Sequence, residues 1–444
     1  MNENKRYNFL INNYIHFGTM MPKSECEKNL SLISDYEEQI NNFYLNSNKS
    51  MDEFINTVNS SQEMSIVFVA GRAFPMLARL ALTMKKKGYK TYLILMNEIN
   101  NNSYLLVKDS FDHIIQNVLY FPALKKILNS ISPNFFHVQC WMWSLSLGRF
   151  IIEQNKKSKV ICDFYDVTGM YAERESLKII FNEEVVDQDF ECEEFIFKYA
   201  DGIISRYKKK VFLEYLQKYK RTKNILEFQQ YPLNNNIIEN ENKVQEKTKV
   251  QMVYCGTLIP PHDPNHPKEF FPPAGMKDAF EILLSKGYEV YIYLPINGNF
   301  EFNKWIFDLK KKKYPDSLFI LESLPFDELI KKISSYDYGI NLQNIDLKNS
   351  KVSNFNFSGG MGTKTFTYLE AGLPILVNSE TKYSKEIIEK NKIGISLNSN
   401  ELNKIDHILK NVNYSELKKN VKRFNKINNL YIKGNELVSF YESL

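Results

Sequence analysis

Apolar positions along this chain fall into two alternating rhythms: short continuous runs, and longer stretches with a helical period. Ser65 to Ala70 is an apolar run, and a stripe of Met76, Leu77, Leu80, Ala81 and Met84 follows it. Val250 to Cys255 is followed in the same way by Met276, Ala279, Phe280, Leu283 and Leu284. Each stripe then closes on Lys-Gly-Tyr and opens a new run. The two copies are Lys87-Gly88-Tyr89-Lys90-Thr91-Tyr92-Leu93-Ile94-Leu95 and Lys286-Gly287-Tyr288-Glu289-Val290-Tyr291-Ile292-Tyr293-Leu294. Spacings of three and four residues mark amphipathic helices, and short apolar runs mark buried strands. Lys-Gly is a helix stop, because the cation suits the last carbonyls and glycine suits the left-handed cap. Each copy therefore predicts a β-α-β unit, the opening of a doubly wound parallel sheet.

Further runs extend both sheets. Phe135 to Trp141, Val160 to Tyr165, Gly202 to Ser205 and Ile225 to Phe228 continue the first. Leu318 to Glu322, Tyr338 to Leu342, Leu373 to Val377 and Ile393 to Leu397 continue the second. Between them, Asn234 to Lys247 is polar and without a steady period, which predicts a linker. The expected organisation is an N-terminal extension over 1–60, a first Rossmann-like domain over 61–233, a linker over 234–248 and a second Rossmann-like domain over 249–414. A helical segment over 415–444 completes it. The fold class is thus α/β, with two doubly wound domains facing across a cleft at the carboxyl ends of their strands.

Composition narrows the picture little further. The chain has 444 residues, 43% of them hydrophobic and 25% charged, as in ordinary globular proteins. A formal net charge of +5 is small for this length and demands no nucleic acid. The basic runs Lys85 to Lys87, Lys208 to Lys210 and Lys310 to Lys313 fall at helix ends or faces. Five scattered cysteines without a Cys-x-x-Cys pair point to a reducing, cytoplasmic compartment. No signal-peptide core opens the chain, and no apolar stretch is long enough to span a bilayer.

The richest chemistry lies in Gly359-Gly360-Met361-Gly362-Thr363-Lys364-Thr365-Phe366-Thr367-Tyr368-Leu369-Glu370-Ala371-Gly372-Leu373-Pro374. The glycines allow a backbone turn close to a ligand, and a short helix is expected from Thr363 to Ala371. A helix start presents free N–H groups to an anion, and Lys364 adds a full charge there. The segment resembles the nucleotide-sugar site of GT-B glycosyltransferases, in particular the large retaining family of glycogen and sucrose synthases. Their pattern Lys-x-hydrophobic-Glu-Tyr-x-x-x-Gly-x-Pro is met by Lys364, Phe366, Tyr368, Gly372 and Pro374. The family's glutamate falls on Thr367, and a glutamate follows three residues later at Glu370. The resemblance implies that Gly360, Gly362, Thr363 and Lys364 hold a diphosphate, with Thr367 or Glu370 meeting the ribose. The turn Gly256-Thr257 after its strand is the second donor-binding element, with Thr257 where the family often has arginine.

Four other clusters carry candidate chemistry. Gly71-Arg72 follows the first strand and is expected to offer a guanidinium to a phosphate or to the acceptor side. His137 and Asp166 end neighbouring strands and loosely match family segments lining the acceptor. Asp166 is the first candidate to accept the acceptor's proton, and His137 the second. His262-Asp263-Pro264-Asn265-His266-Pro267 tempts a metal reading, but its prolines forbid the helix that would align the histidines. Asp187-Gln188-Asp189 mimics a metal motif inside an acidic stretch read as a solvated helix.

Together these imply a cytoplasmic glycosyltransferase that takes a nucleotide sugar, a UDP-sugar first, as co-substrate, without a metal or other cofactor. The acceptor is a hydroxyl of a glycan, a lipid-linked glycan or a protein, with peripheral association at the inner membrane face left open. A non-catalytic, transferase-like partner subunit is the alternative, and a two-domain epimerase is a third option.

Overall fold

The computed structural model describes residues 49–73, 75–97, 99, 104–118, 121–141, 145–233, 249–261, 267–295 and 300–444. The linker expected over 234–248, most of the extension over 1–60 and the His262–His266 segment lie outside these. The chain divides into two compact units. One runs to Gln229 and takes in Gly434–Leu444, and the other is Gln230–Lys433.

The first unit is built on a parallel sheet of seven strands. In chain order these are β1 (Ser65–Ala70), helix α1 (Pro75–Lys86), β2 (Lys90–Leu95), β3 (His113–Ile115), β4 (Phe135–Cys140), β5 (Lys159–Phe164), helix α2 (Glu183–Tyr199), β6 (Gly202–Ser205) and β7 (Ile225–Glu227). Their spatial order is β3-β2-β1-β4-β5-β6-β7. The second unit repeats the plan with β8 (Gln251–Cys255), helix α3 (Met276–Ser285), β9 (Glu289–Leu294), β10 (Leu318–Glu322), β11 (Tyr338–Asn341), helix α4 (Lys364–Glu370), β12 (Ile375–Asn378) and β13 (Gly394–Leu397). Its order is β10-β9-β8-β11-β12-β13, the same winding. Helix α5 (Tyr414–Ile427) follows, and the last helix, α6 (Leu430–Glu442), begins in the second unit and ends in the first.

The repeated Lys-Gly-Tyr has the same geometry in both units. Gly88 and Gly287 adopt φ of +94° and +85°, a region that L side chains avoid. The next N–H reaches back to the carbonyl five residues earlier, Tyr89 to Met84 at 3.2 Å and Tyr288 to Leu283 at 3.3 Å, closing each helix. All ten apolar stripe residues of α1 and α3 are buried.

Strands buried on both faces alternate between two cores. In β8, Met252 and Tyr254 join one cluster with Phe280 and Leu283 of α3, while Val253 and Cys255 join the other with Phe366 and Leu369 of α4. The sequence did not foretell β3, whose three residues are too few to show a period. No helix among the described residues is long and apolar enough to cross a membrane.

Candidate functional site

In the second sheet the strand order reverses between β8 and β11, the place where open α/β sheets bind ligands beyond their carboxyl ends. The ladder between these two strands ends early, at Tyr338–Met252 and Gly339–Val253. Beyond it, Tyr368 of α4 bridges the diverging chains. Its buried phenol accepts from the Cys255 N–H at 3.1 Å and donates to the Ile340 carbonyl at 3.2 Å. The tyrosine of the motif is therefore a strand rivet. Phe366 and Leu369 sink into the core beside it.

This anchoring fixes where Lys364 emerges. Gly256, directly after β8, adopts φ +135°, and a Cβ there would lie 2.7 Å from Lys364 Cε. The lysine stem thus crosses over the bare glycine. Its ammonium stands 5.3 Å from the centre of the Tyr254 ring, and Tyr254 Oη donates to the Thr257 carbonyl at 2.8 Å. Burial raises the Tyr254 phenol's pKa, while the neighbouring Lys364 pulls it down. Burial likewise pushes up the Cys255 thiol, against the same ammonium. Lys364, far along the chain, therefore meets the Gly256-Thr257 turn at the switch point by crossing Gly256.

Other predicted donor residues divide by depth. Gly360 follows the short helix Asn354–Gly359, donating its N–H to Asn356 at 2.8 Å. Gly362 is exposed, and Thr363 and Thr367 are half-buried. Glu370 shares their helix but is fully buried at the last turn of α4. Of the two ribose candidates, only Thr367 keeps access to solvent. Lys268 is paired with Asp278 at 3.2 Å.

In the first unit, a cluster forms past the carboxyl ends of β4, β5 and β6. Asp166 is partly exposed; it accepts from Trp141 Nε1 at 2.8 Å and pairs with Arg206 Nη2 at 3.3 Å. Arg206, nearly buried, also donates to the Tyr165 carbonyl and lies 4.6 Å over the Tyr165 ring. Sequence reasoning missed Arg206. Its position directly after the Gly202 to Ser205 run, matching Asp166 after its own run, was the available signal. Arg72 is exposed after β1, and the Gly71 carbonyl accepts from Asn97 at 2.7 Å.

His137 does not reach this cluster. It sits mid-strand in β4 at 0% exposure, with Nδ1 2.5 Å from Tyr441 Oη and Nε2 3.3 Å from Asp163 Oδ2. Both ring nitrogens are engaged inside the unit, which corrects its place as an acceptor-lining residue. The acidic stretch also departs from expectation. Asp187 is surface-paired with Lys178 at 2.8 Å, but Asp189 and Glu193 of α2 are buried. They accept from Thr168 Oγ1 and from the Gly169 N–H, holding the turn after β5. Burial raises the pKa of both carboxyls.

Residues 295–437, which contain Lys364 and Tyr368, match the family model described as glucosyltransferase 3-like, C-terminal domain. No curated protein sequence matches the chain. Among solved structures, one from Listeria monocytogenes assigned as a UDP-N-acetylglucosamine 2-epimerase superposes with a TM-score of 0.51 at 12% identity, covering 86% of this chain and 98% of that one. The catalytic domain of starch synthase IV from Arabidopsis thaliana, bound to ADP and acarbose, superposes with a TM-score of 0.52 at 9% identity, covering 86% and 99%. At such identities the likeness establishes the fold. The chain is an α/β protein of GT-B class, with Rossmann-like domains of seven and six parallel strands.

Proposed function

We propose that this chain is a glycosyltransferase that moves a sugar from a nucleoside-diphosphate donor, a UDP-sugar first, to a hydroxyl of a glycan, lipid-linked glycan or protein. The observation that carries the reading is the crossing of Lys364 over Gly256 at the switch point of the second sheet, with Lys364 itself inside the segment 295–437 that is similar to a glucosyltransferase-like domain. A starch synthase of similar fold was solved with ADP bound, which supports a nucleoside-diphosphate partner. Departure of the diphosphate develops negative charge, and the fixed ammonium of Lys364 stabilises it in place. Thr367 is the residue assigned to the ribose. Asp166, aligned by Trp141 and Arg206, is assigned to the acceptor hydroxyl, whose proton it takes. With the diphosphate held by Lys364 and backbone donors, transfer is expected to survive chelation of divalent metals. The scattered cysteines without a Cys-x-x-Cys pair support a cytoplasmic location.

A donor panel tests this directly. Melting and calorimetry with uridine, guanosine, adenosine and cytidine diphosphate sugars should single out one base, and mass spectrometry should show slow donor hydrolysis. Silence towards every nucleotide would instead identify a non-catalytic transferase-like subunit, the reading that Thr257 and Thr367, standing where the family has arginine and glutamate, favour. Conversion of the sugar nucleotide to an isomer without an acceptor would identify an epimerase.

A further inference from the structure

A second surface lies where α5 meets α6 in the second unit. Along α5, Lys419, Arg423 and Lys426 face solvent in one stripe. The stripe runs into Ile427, which is 60% exposed, and past the break at Asn428 into Tyr431 and Ile432, at 67% and 42%. Isolated exposed apolar side chains are common, but this is a cluster. Seven large hydrophobic side chains are exposed among the described residues, and these three fall within six positions.

The corner is ordered by its own hydrogen bonds. Asn429 Oδ1 accepts from the Tyr431 and Ile432 N–H groups at 3.1 and 3.2 Å, capping the start of α6, while its Nδ2 donates to the Asn425 carbonyl at 2.9 Å. The apolar trio is therefore presented on a fixed helical bend.

Charge decides what can cover it. From Tyr414 to Lys433 the chain carries six cations against one carboxylate, Glu416; Lys419, Arg423 and Lys426 are the exposed ones, Lys418 donates to the Gly372 carbonyl at 2.7 Å, and Glu436 follows on α6. That excess equals the formal net charge of the whole chain, +5. A two-fold contact with a second copy would set this cationic patch against itself. A bilayer of anionic lipid satisfies both halves of the surface: aliphatic and aromatic groups enter the headgroup boundary while the cations meet phosphates. We infer that the α5–α6 corner is a docking surface for an anionic membrane.

Flotation of the full chain with phosphatidylcholine vesicles, with and without one-third phosphatidylglycerol, tests the inference. The chain is expected to float with the anionic vesicles only, and to be released severalfold at about 1 M salt, where the Debye length falls to about 3 Å. The pair Arg423→Glu/Lys426→Glu should lower the bound fraction about tenfold. The triple Ile427→Ser/Tyr431→Ser/Ile432→Ser should lower it comparably. Melting curves matching the wild type show that both variants remain folded. Absence of the wild-type chain from floated anionic vesicles, or flotation unaffected by either variant, overturns the inference. A fall in oligomer mass for the triple variant in light scattering also overturns it, making the corner a protein interface.

Discussion

Gly256 and Lys364 depend on one another. A methyl group at 256 would occupy the path of the lysine stem and would also be strained at φ +135°. Gly256→Ala should therefore lower stability by about 1–3 kcal/mol and weaken nucleotide binding at the same time. Lys364→Met keeps the stem and removes the charge. Hydrogen bonds to charged groups contribute roughly 1.5–3 kcal/mol, so UDP affinity by calorimetry should fall about ten- to a hundredfold with the melting temperature little changed. An unchanged affinity in both variants would dismiss the donor site. Tyr368→Phe separates structure from binding in the opposite way. It deletes the phenol shared by Cys255 and Ile340, leaves two buried backbone groups unpaired, and should cost about 1–3 kcal/mol in denaturant melts.

At the scale of elements, the turn after β5 rests on the carboxyls of α2. The folded-state pKa of Asp189 is raised above its ordinary 3.8, chiefly by burial. The native state then holds its proton where the unfolded chain has lost it, so stability falls as pH rises from about 3.8 through the folded value. Asp189→Asn removes this titration. The stability of the wild type relative to the variant should therefore decline with rising pH over that window, as read by urea melts in a pH series. Legibility at this scale was uneven, for reasons particular to each element. The Lys-Gly-Tyr repeat announced both β-α-β units because helix stop, cap and strand opening are all local events. The spacing of Thr363, Thr367 and Glu370 correctly put them on one helix, but spacing carries no depth, and Glu370 proved buried. His137 read like a strand-end residue because a strand buried on both faces offers no polar alternation to mark the middle. Asp189 and Glu193 looked solvated for the converse reason: their partners, Thr168 and Gly169, lie 21 and 24 residues away in sequence.

For the molecule as a whole, the short segment Gly434–Leu444 matters beyond its length. Leu437, Phe440 and Tyr441 are buried in the first unit, where Phe440 and Leu444 lie against Gly202 of β6. Deleting these residues should remove on the order of 5 kcal/mol from that unit and depress its melting transition. Tyr441→Phe alone takes only the phenol from His137 and should cost about 1–3 kcal/mol. A deletion without thermal effect would show that the first unit is complete without the tail.

The pairing of Tyr441 with His137 also bears on how the protein is made. A nascent chain is delivered from the amino end, yet His137 must wait for a residue 304 positions later. This contact in the earlier unit cannot form while the ribosome is still translating the later one. The second unit can mature first, and until Tyr441 has been made the seven strands of the first unit stand without their last helix, a stage open to chaperones and proteases during synthesis.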